Sequence, residues 1–348
     1  MSTPFPFDLD RDRFLFLADR ASGLRAILCI DDLRAGPAAG GIRTRAYPRV
    51  EDAAAEVAGL ARGMTIKCAL AGLAAGGAKT VVLDHSGMDR PAAFRALGGY
   101  IEELAGRYHA AGDFGTTAAD LAAAAERTRF VHINEPDLAG AVGESVARCL
   151  RVAFDRLDGG ALAGRTVGIQ GCGAIGAAVA GRLHDAGARL VVADVVPERA
   201  EALRSLGADV VAPEAILQAE VDALVPAALG GVLDERSAPA VRARVVCGAA
   251  NGVMAGDEVG RALSARGVIL VPDALGSAGA VMEGIGSAVM GLSDRTPLFA
   301  ALEETTREVL DRAEETGESP DAVARRLAFE RLDALRLGDA RDWANWAE

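Results

Sequence analysis

Residues 162–203, LAGRTVGIQGCGAIGAAVAGRLHDAGARLVVADVVPERAEAL, read as a strand, a glycine turn, a helix and a second strand. Thr166–Gln170 is the apolar strand, Gly171, Gly173 and Gly176 make GxGxxG, and Ala174–Asp185 carries helical periodicity. Each glycine has its own reason. The first permits the tight turn, the second lets backbone approach a pyrophosphate, and the third lets helix and strand pack closely. Backbone N–H groups at the helix start, around Gly173, Ala174 and Ile175, then face phosphate oxygens. The second strand ends in Asp194, about twenty residues on, where a carboxylate accepts from both hydroxyls of a ribose. Val195-Val196 follow it with no arginine, so a 2'-phosphate would meet an anion. The unit is therefore expected to hold NAD rather than NADP. A glycine turn without a ligand would share the three glycines, but not the strand, helix and acid around them.

Two later stretches fit the same crevice. Ala227-Ala228-Leu229 and Ala249-Ala250-Asn251 each follow an apolar strand, at the carboxyl end where open α/β sheets bind ligands. Asn251 has an amide for the ligand, although a turn former would look the same.

A dinucleotide unit names a cofactor and not a reaction. With 348 residues there is room for a second domain, and 51% hydrophobic residues can build its core and an apolar subunit interface. Strands are expected over 12–19, 24–30, 80–84 and 108–117, with helices over 50–63, 90–107 and 120–128. That alternation argues for an α/β unit. A helix is expected over 141–157, strands over 221–225, 244–247 and 268–271, and amphipathic helices over 297–316 and 320–337. The domain boundary falls near 135–145 by topology alone.

The first unit contains GPAAGGIRTRAYPRVEDAAAEVAGLARGMTIKCALAGLAAGGAKTVVLD, residues 36–84, which places Lys67 and Lys79 among glycine, alanine and aliphatic residues. Nearly all the Lys+Arg residues of the chain are arginine. Lysine is the base whose pKa moves readily on burial. Two surface lysines at helix ends would satisfy the same spacing. For an amino acid substrate, one lysine would hold the carboxylate, one of lowered pKa would activate water, and a carboxylate such as Asp113 would move protons.

Other classes are disfavoured. The net charge of -12 opposes a nucleic-acid or anionic-membrane partner. No apolar run is long enough to span a bilayer, and the N-terminus has no secretory pattern. The 5 cysteines are scattered without a CxxC pair, and the 4 histidines form no ligand spacing. No disulfide or metal site is expected, and a reducing cytoplasm fits.

The segments GPAAGGIR, YPRVEDA, GMTIKCALAGLAAGGAKTVV, GRYHAAGDFGTTAAD, GIQGCGAIG, VPAALGGVL, GAANG and PDALGSAGAVM resemble the glutamate/leucine/phenylalanine/valine dehydrogenase family, in order and spacing, over about residues 10–290. The resemblance implies an N-terminal α/β catalytic and oligomerisation domain (1–138), a Rossmann-type NAD-binding domain (139–295), and C-terminal helices (296–348) returning to the first. It implies a homo-oligomer, a dimer or higher. It makes Lys67 the carboxylate ligand, Lys79 the catalytic lysine and Asp113 the proton relay. Its Gly-Gly is Gly40-Gly41.

The departures concern specificity. Glutamate-specific members carry a lysine where Ala39 stands, and leucine-type members a leucine. The usual N-A-G-G reads Ser277-Ala278-Gly279-Ala280, which alters a substrate or nicotinamide contact, and Gly284 stands where a pocket valine is usual. Val142-Gly143-Glu144 replaces a Thr-Ala pair. The pocket, from Ala39, Met64, Ala111, Val281 and Gly284, is expected to be wide and apolar. The expected reaction is reversible, NAD-dependent deamination of a bulky apolar or aromatic L-amino acid (phenylalanine, tryptophan or leucine) to the 2-oxo acid and ammonia. The alternative is a divergent relative that binds NAD and a small ligand for another step. A 2-hydroxy-acid dehydrogenase would want an arginine and a His–carboxylate pair that the scattered histidines do not supply.

Overall fold

The computed structural model describes residues 13–133, 137–228 and 230–335. The first unit opens with an antiparallel hairpin, β1 (Arg13–Asp19) and β2 (Leu24–Ile30). Then β3 (Ala38–Arg45), α1 (Val50–Leu70), β4 (Gly76–Leu83), α2 (Arg90–Glu103), β5 (Tyr108–Gly112) and α3 (Ala118–Ala125) alternate. The strand order is β1-β2-β4-β3-β5. Strand β2 runs antiparallel to β4, while β3 runs parallel to β4 and β5.

Several elements differ from the sequence reading: α2 ends at Glu103, β5 ends at Gly112, α3 spans Ala118–Ala125, and the helix expected over 141–157 starts at Leu138. The differences in the first unit bear most on the site. The helix expected over 50–63 continues to Leu70, because its buried face, with Ala61, Thr65, Ile66 and Cys68, carries on past Gly63. The strand expected from Thr80 starts at Gly76, so Lys79 lies inside it. Strand β3 was not expected at all. It is glycine-rich because a Cβ on Gly40 would come 1.7 Å from the Ala78 carbonyl oxygen on β4. Low strand propensity there is the cost of close approach.

The second unit begins with α4 (Leu138–Asp158). It continues through β6 (Thr166–Gln170), α5 (Ala174–Asp185), β7 (Arg189–Ala193), α6 (Pro197–Ala202), β8 (Asp209–Val210), β9 (Ala223–Pro226), β10 (Val245–Cys247), α7 (Asp257–Ala265) and β11 (Ile269–Val271). The sheet order is β11-β10-β9-β6-β7-β8, all parallel. This doubly wound order reverses between β6 and β9, and ligands bind at the carboxyl ends of such strands. Gly143 lets α4 seat on α5, since its Cβ would come 2.9 Å from the Ala178 carbonyl. Glu144 accepts from Arg148 and Arg182 at the same contact.

Four helices follow: α8 (Asp273–Gly276), α9 (Ala278–Ala288), α10 (Thr296–Thr316) and α11 (Pro320–Asp333). The last returns to the first unit. The Arg62 guanidinium lies 4.4 Å from the Phe329 ring centroid, and Arg331 reaches the Ala69 and Leu70 carbonyls at the end of α1 (3.4 and 3.3 Å), where a cation suits the helix dipole. One apolar core runs from Ile66 and Leu70 through Val142 and Leu150 to Val167, Val225, Leu302 and Leu327, and so couples the two sheets. All 5 cysteines are free and buried. Among the described residues no group of three metal-ligating side chains occurs, and no helix is long and apolar enough to cross a membrane.

Candidate active site

Lys67 and Lys79 are the only lysines in the chain. Both line one cavity of about 510 Å³ between the units, with Met64, Asn251, Met254 and Asp273 among its other walls. Lys79 sits in β4 and is 7% exposed. Its Nζ lies 2.7 Å from Oδ2 of Asp113, which follows β5. Gly41, on the strand between them, makes room: a Cβ there would come 2.8 Å from the Asp113 Cβ and 3.1 Å from Lys79 Nζ. Burial pushes the Lys79 ammonium down from its ordinary range, while Asp113 opposes the shift. For Asp113 burial acts upward, but Lys79 and Arg43 outweigh it and hold the carboxyl below its usual range.

Lys67 sits in the last turn of α1 and donates to Asn251 Oδ1, just past β10 on the opposite unit. Burial lowers its pKa too, with Asp273 opposing and Lys79 adding to the fall. Burial acts on both lysines, and their partners differ: Lys79 faces the Asp113 carboxylate, and Lys67 faces the Asn251 amide.

The glycine loop fits a dinucleotide. Gly171 has φ of +95°, and a Cβ on Gly176 would come 1.8 Å from the Gly171 carbonyl. Both are required by packing. A Cβ on Gly173 would meet nothing within 4 Å, so close approach of a ligand is the reason left for that glycine. It is the N-cap of α5, whose first N–H groups, on Ala174 and Ile175, have no partner within the helix. Asp194 accepts from the Cys172 N–H (2.6 Å) and the Val196 N–H (2.8 Å), which pins its carboxylate beside the loop. The Ala227 N–H donates to the Gln170 carbonyl, and those of Ala249 and Ala250 to the Pro226 carbonyl, so these segments adjoin the loop. Ala228 is exposed, and its Cβ stands where a Cβ on Gly171 would clash, at 2.6 Å. Leu229 lies outside the described residues.

The Glu/Leu/Phe/Val dehydrogenase dimerisation-domain profile matches residues 14–130, and the glutamate/leucine/phenylalanine/valine dehydrogenase profile residues 194–336. The NAD-binding domain profile of D-isomer specific 2-hydroxyacid dehydrogenases matches residues 141–228. The chain is 33% identical to a leucine dehydrogenase of Thermoactinomyces intermedius, over 97% of this chain and 96% of that protein. It is 35% identical to a valine dehydrogenase of Streptomyces virginiae, over 93% and 94%. The solved structure of L-tryptophan dehydrogenase from Nostoc punctiforme superposes with a TM-score of 0.83 at 29% identity, covering 94% of this chain and 97% of that one. The chain belongs to the Glu/Leu/Phe/Val dehydrogenase family. It is an oxidoreductase of amino acid CH–NH2 groups with a nicotinamide-cofactor domain.

Within this dehydrogenase the expected pocket residues divide. Gly40 and Gly41 are buried in β3, with half-buried Ala111 paired to Gly41 on β5. Met64 faces the open cavity together with Gly59, Gly63 and Met254. Ala39 and Val281 sit in the apolar core at 3% and 8% exposure. At Gly284 an added Cβ would have Leu138 Cδ2 as its near neighbour, at 3.5 Å, so Leu138 bounds the room that the missing side chain leaves. Ser277 is buried, and its hydroxyl donates to the Asp273 carbonyl at 2.6 Å, which commits its proton within the chain.

Two residues escaped the sequence reading. Arg43 donates to Asp113 at 2.9 Å and to Glu56 at 2.5 Å. With period two, Arg43 shares a face of β3 with Gly41, but β3 itself was not expected, so neither Arg43 nor Glu56 could be placed at Asp113 from the sequence.

Proposed function

We propose that this dehydrogenase performs reversible, NAD-dependent oxidative deamination of a bulky apolar or aromatic L-amino acid, giving the 2-oxo acid and ammonia. The observation that carries this reading is the Lys79–Asp113 pair, 2.7 Å apart with Lys79 buried, at a cavity that also holds Lys67 and the segment just past β10 of the dinucleotide sheet. Lys67 pairs with the substrate carboxylate. When bound, the nicotinamide accepts a hydride from the substrate Cα. Lys79, its proton affinity lowered by burial, takes a proton from the water that attacks the resulting iminium carbon. Asp113, ionised at rest, takes a proton from the substrate ammonium before hydride transfer and returns it to the departing amine; the carbinolamine hydroxyl gives its proton to water as the C–N bond breaks, which releases ammonia and the 2-oxo acid.

Asp194 without a following arginine supports NAD over NADP. The match to a dimerisation-domain profile supports a homo-oligomer. Scattered, free cysteines are compatible with a reducing cytoplasm. We also propose the division into 1–138, 139–295 and 296–348, with α11 as the return connection.

NADH absorbance, followed with tryptophan, phenylalanine, leucine, valine and glutamate, tests the reading. A preference for an aromatic or branched side chain is expected, with loss of turnover in Lys79→Ala. Preference for glutamate would overturn the specificity, and unimpaired Lys79→Ala the mechanism. NAD binding without turnover of any amino acid would support the divergent alternative.

A further inference from the structure

We infer that Arg43 is a positioning residue which keeps Lys79 available as a base, by taking a share of the Asp113 carboxylate. This rests on the proposed role of Lys79. The geometry is that of one oxygen serving two cations. Asp113 Oδ2 lies 2.7 Å from Lys79 Nζ and 2.9 Å from Arg43 Nε. Arg43 Nη2 stands 3.5 Å from the other carboxylate oxygen. On its far side Arg43 is fixed by Glu56 of α1, at 2.5 Å, and Arg45 lies 3.7 Å from the same glutamate. The side chains of Arg43, Asp113 and Glu56 are each about four-fifths buried, at 20%, 21% and 24% exposure.

An isolated Lys–Asp pair in a dry cleft holds the lysine charged, because the carboxylate has no other partner. A lysine held that way cannot accept a proton from water. Arg43 changes the balance without touching substrate or cofactor. Its permanent charge satisfies part of Asp113 and also repels the ammonium.

The groups facing Lys79 come from four elements. Asp113 follows β5, Arg43 is on β3, Glu56 and Lys67 are on α1, and Cys29 is its partner on β2. Asp113 and Glu56 act to raise the Lys79 pKa and Arg43 to lower it. Arg43 and Glu56 thus form a pair of opposite sign, set behind the carboxylate.

The composition makes this measurable. With only two lysines in the chain, the protein labelled with ε-13C-lysine gives two side-chain resonances, which Lys67→Arg assigns. Arg43→Gln is expected to raise the Lys79 midpoint by about one pH unit, a tenfold gain in proton affinity. Glu56→Gln is expected to lower it. In turnover, the acid limb of kcat/KM moves to higher pH in Arg43→Gln and to lower pH in Glu56→Gln. A purely structural role would reduce activity at every pH and leave the limb and the resonance where they were, and that result overturns the inference. If Arg43→Gln does not fold, the Glu56→Gln titration decides: no downward shift overturns it. Inactivity on every amino acid would end the functional reading instead, and the lysine titration remains readable in that case.

Discussion

Lys67 reaches across the cleft and donates to Asn251 Oδ1, so a helix of the first unit is tied to the end of β10 in the second. The contact has a direct consequence for substrate binding. In the role proposed for Lys67, an amino acid carboxylate would compete with the Asn251 amide for the lysine. Bonds to a charged group contribute about 1.5–3 kcal/mol, which corresponds to roughly 10- to 100-fold in affinity. Lys67→Ala is therefore expected to raise KM for the amino acid by that factor, with a smaller change in kcat. Steady-state kinetics check this. A drop in kcat alone would mean that Lys67 acts on the chemistry and not on binding.

Gly41 separates the lysine and the carboxylate that must meet. A Cβ there would press on the Asp113 Cβ, on the Gly112 carbonyl at 2.9 Å and on Lys79 Nζ. Gly41→Ala is expected to lower kcat by about 100-fold, the scale seen when positioned catalytic groups are displaced. A thermal melt alongside the kinetics separates the effects, since a loss of fold would lower the melting temperature and kcat together.

The substrate side chain has two places to go. Around Ala39, Val281 and Gly284 the walls are core residues, and Leu138 bounds the space at Gly284. Along α1 the open cavity runs past Gly63 to Met254. If the first is correct, Ala39→Leu and Gly284→Val reduce kcat/KM for aromatic substrates roughly tenfold or more relative to leucine or valine, as added methylenes in a pocket do. Gly63→Leu, which has no atom within 4 Å of its new Cβ, leaves that ratio unchanged. The opposite pattern would assign the side chain to the α1 cavity.

The dinucleotide unit could be read from sequence because its determinants are local: strand, glycines, helix and acid lie within residues 162–203. Strand β3 could not, because Gly40 is dictated by a carbonyl on β4 and carries no propensity of its own. Lys79 and Asp113 were visible as residue types, but Arg43 was not, since its importance comes from a carboxylate 70 residues away. Ser277 shows the converse. Its position suggested a ligand contact; its hydroxyl donates to the Asp273 carbonyl, which leaves only acceptor lone pairs for a ligand. The pocket was the least legible part, because openness depends on Leu138 and on the core that absorbs Ala39 and Val281.

Asp194 has two tasks, and a substitution can split them. Its oxygens hold the Cys172 and Val196 N–H groups, and in the proposed cofactor site each would keep a lone pair for a ribose hydroxyl. Asp194→Asn keeps an acceptor for only one of the two loop N–H groups and removes the charge that a 2'-phosphate would meet. The parent enzyme is expected to favour NAD over NADP by more than about 100-fold in kcat/KM, and Asp194→Asn to cut that ratio by about tenfold. An NADP preference in the parent would overturn the cofactor assignment.

Asp321 makes stability depend on pH. It lies at the start of α11, on the cavity wall with Asp257, Asp273 and Arg325. Burial raises its carboxyl to about 7, with Asp273 and Asp257 adding to the shift and Arg325 opposing it. An acid that binds its proton more tightly folded than unfolded favours the folded state below the unfolded pKa, near 4. That contribution is lost as pH rises through the folded value. Asp321→Asn cannot ionise, so it stays close to the protonated parent at every pH. Each pH unit of difference is about 1.4 kcal/mol, and a domain of this size gains about 2 °C per kcal/mol. The two proteins are therefore expected to melt together at pH 4, with Asp321→Asn several degrees more stable at pH 8. Melting curves at both pH values check this. A gap that does not widen would mean that Asp321 ionises freely in the folded protein and that water reaches this end of the cavity.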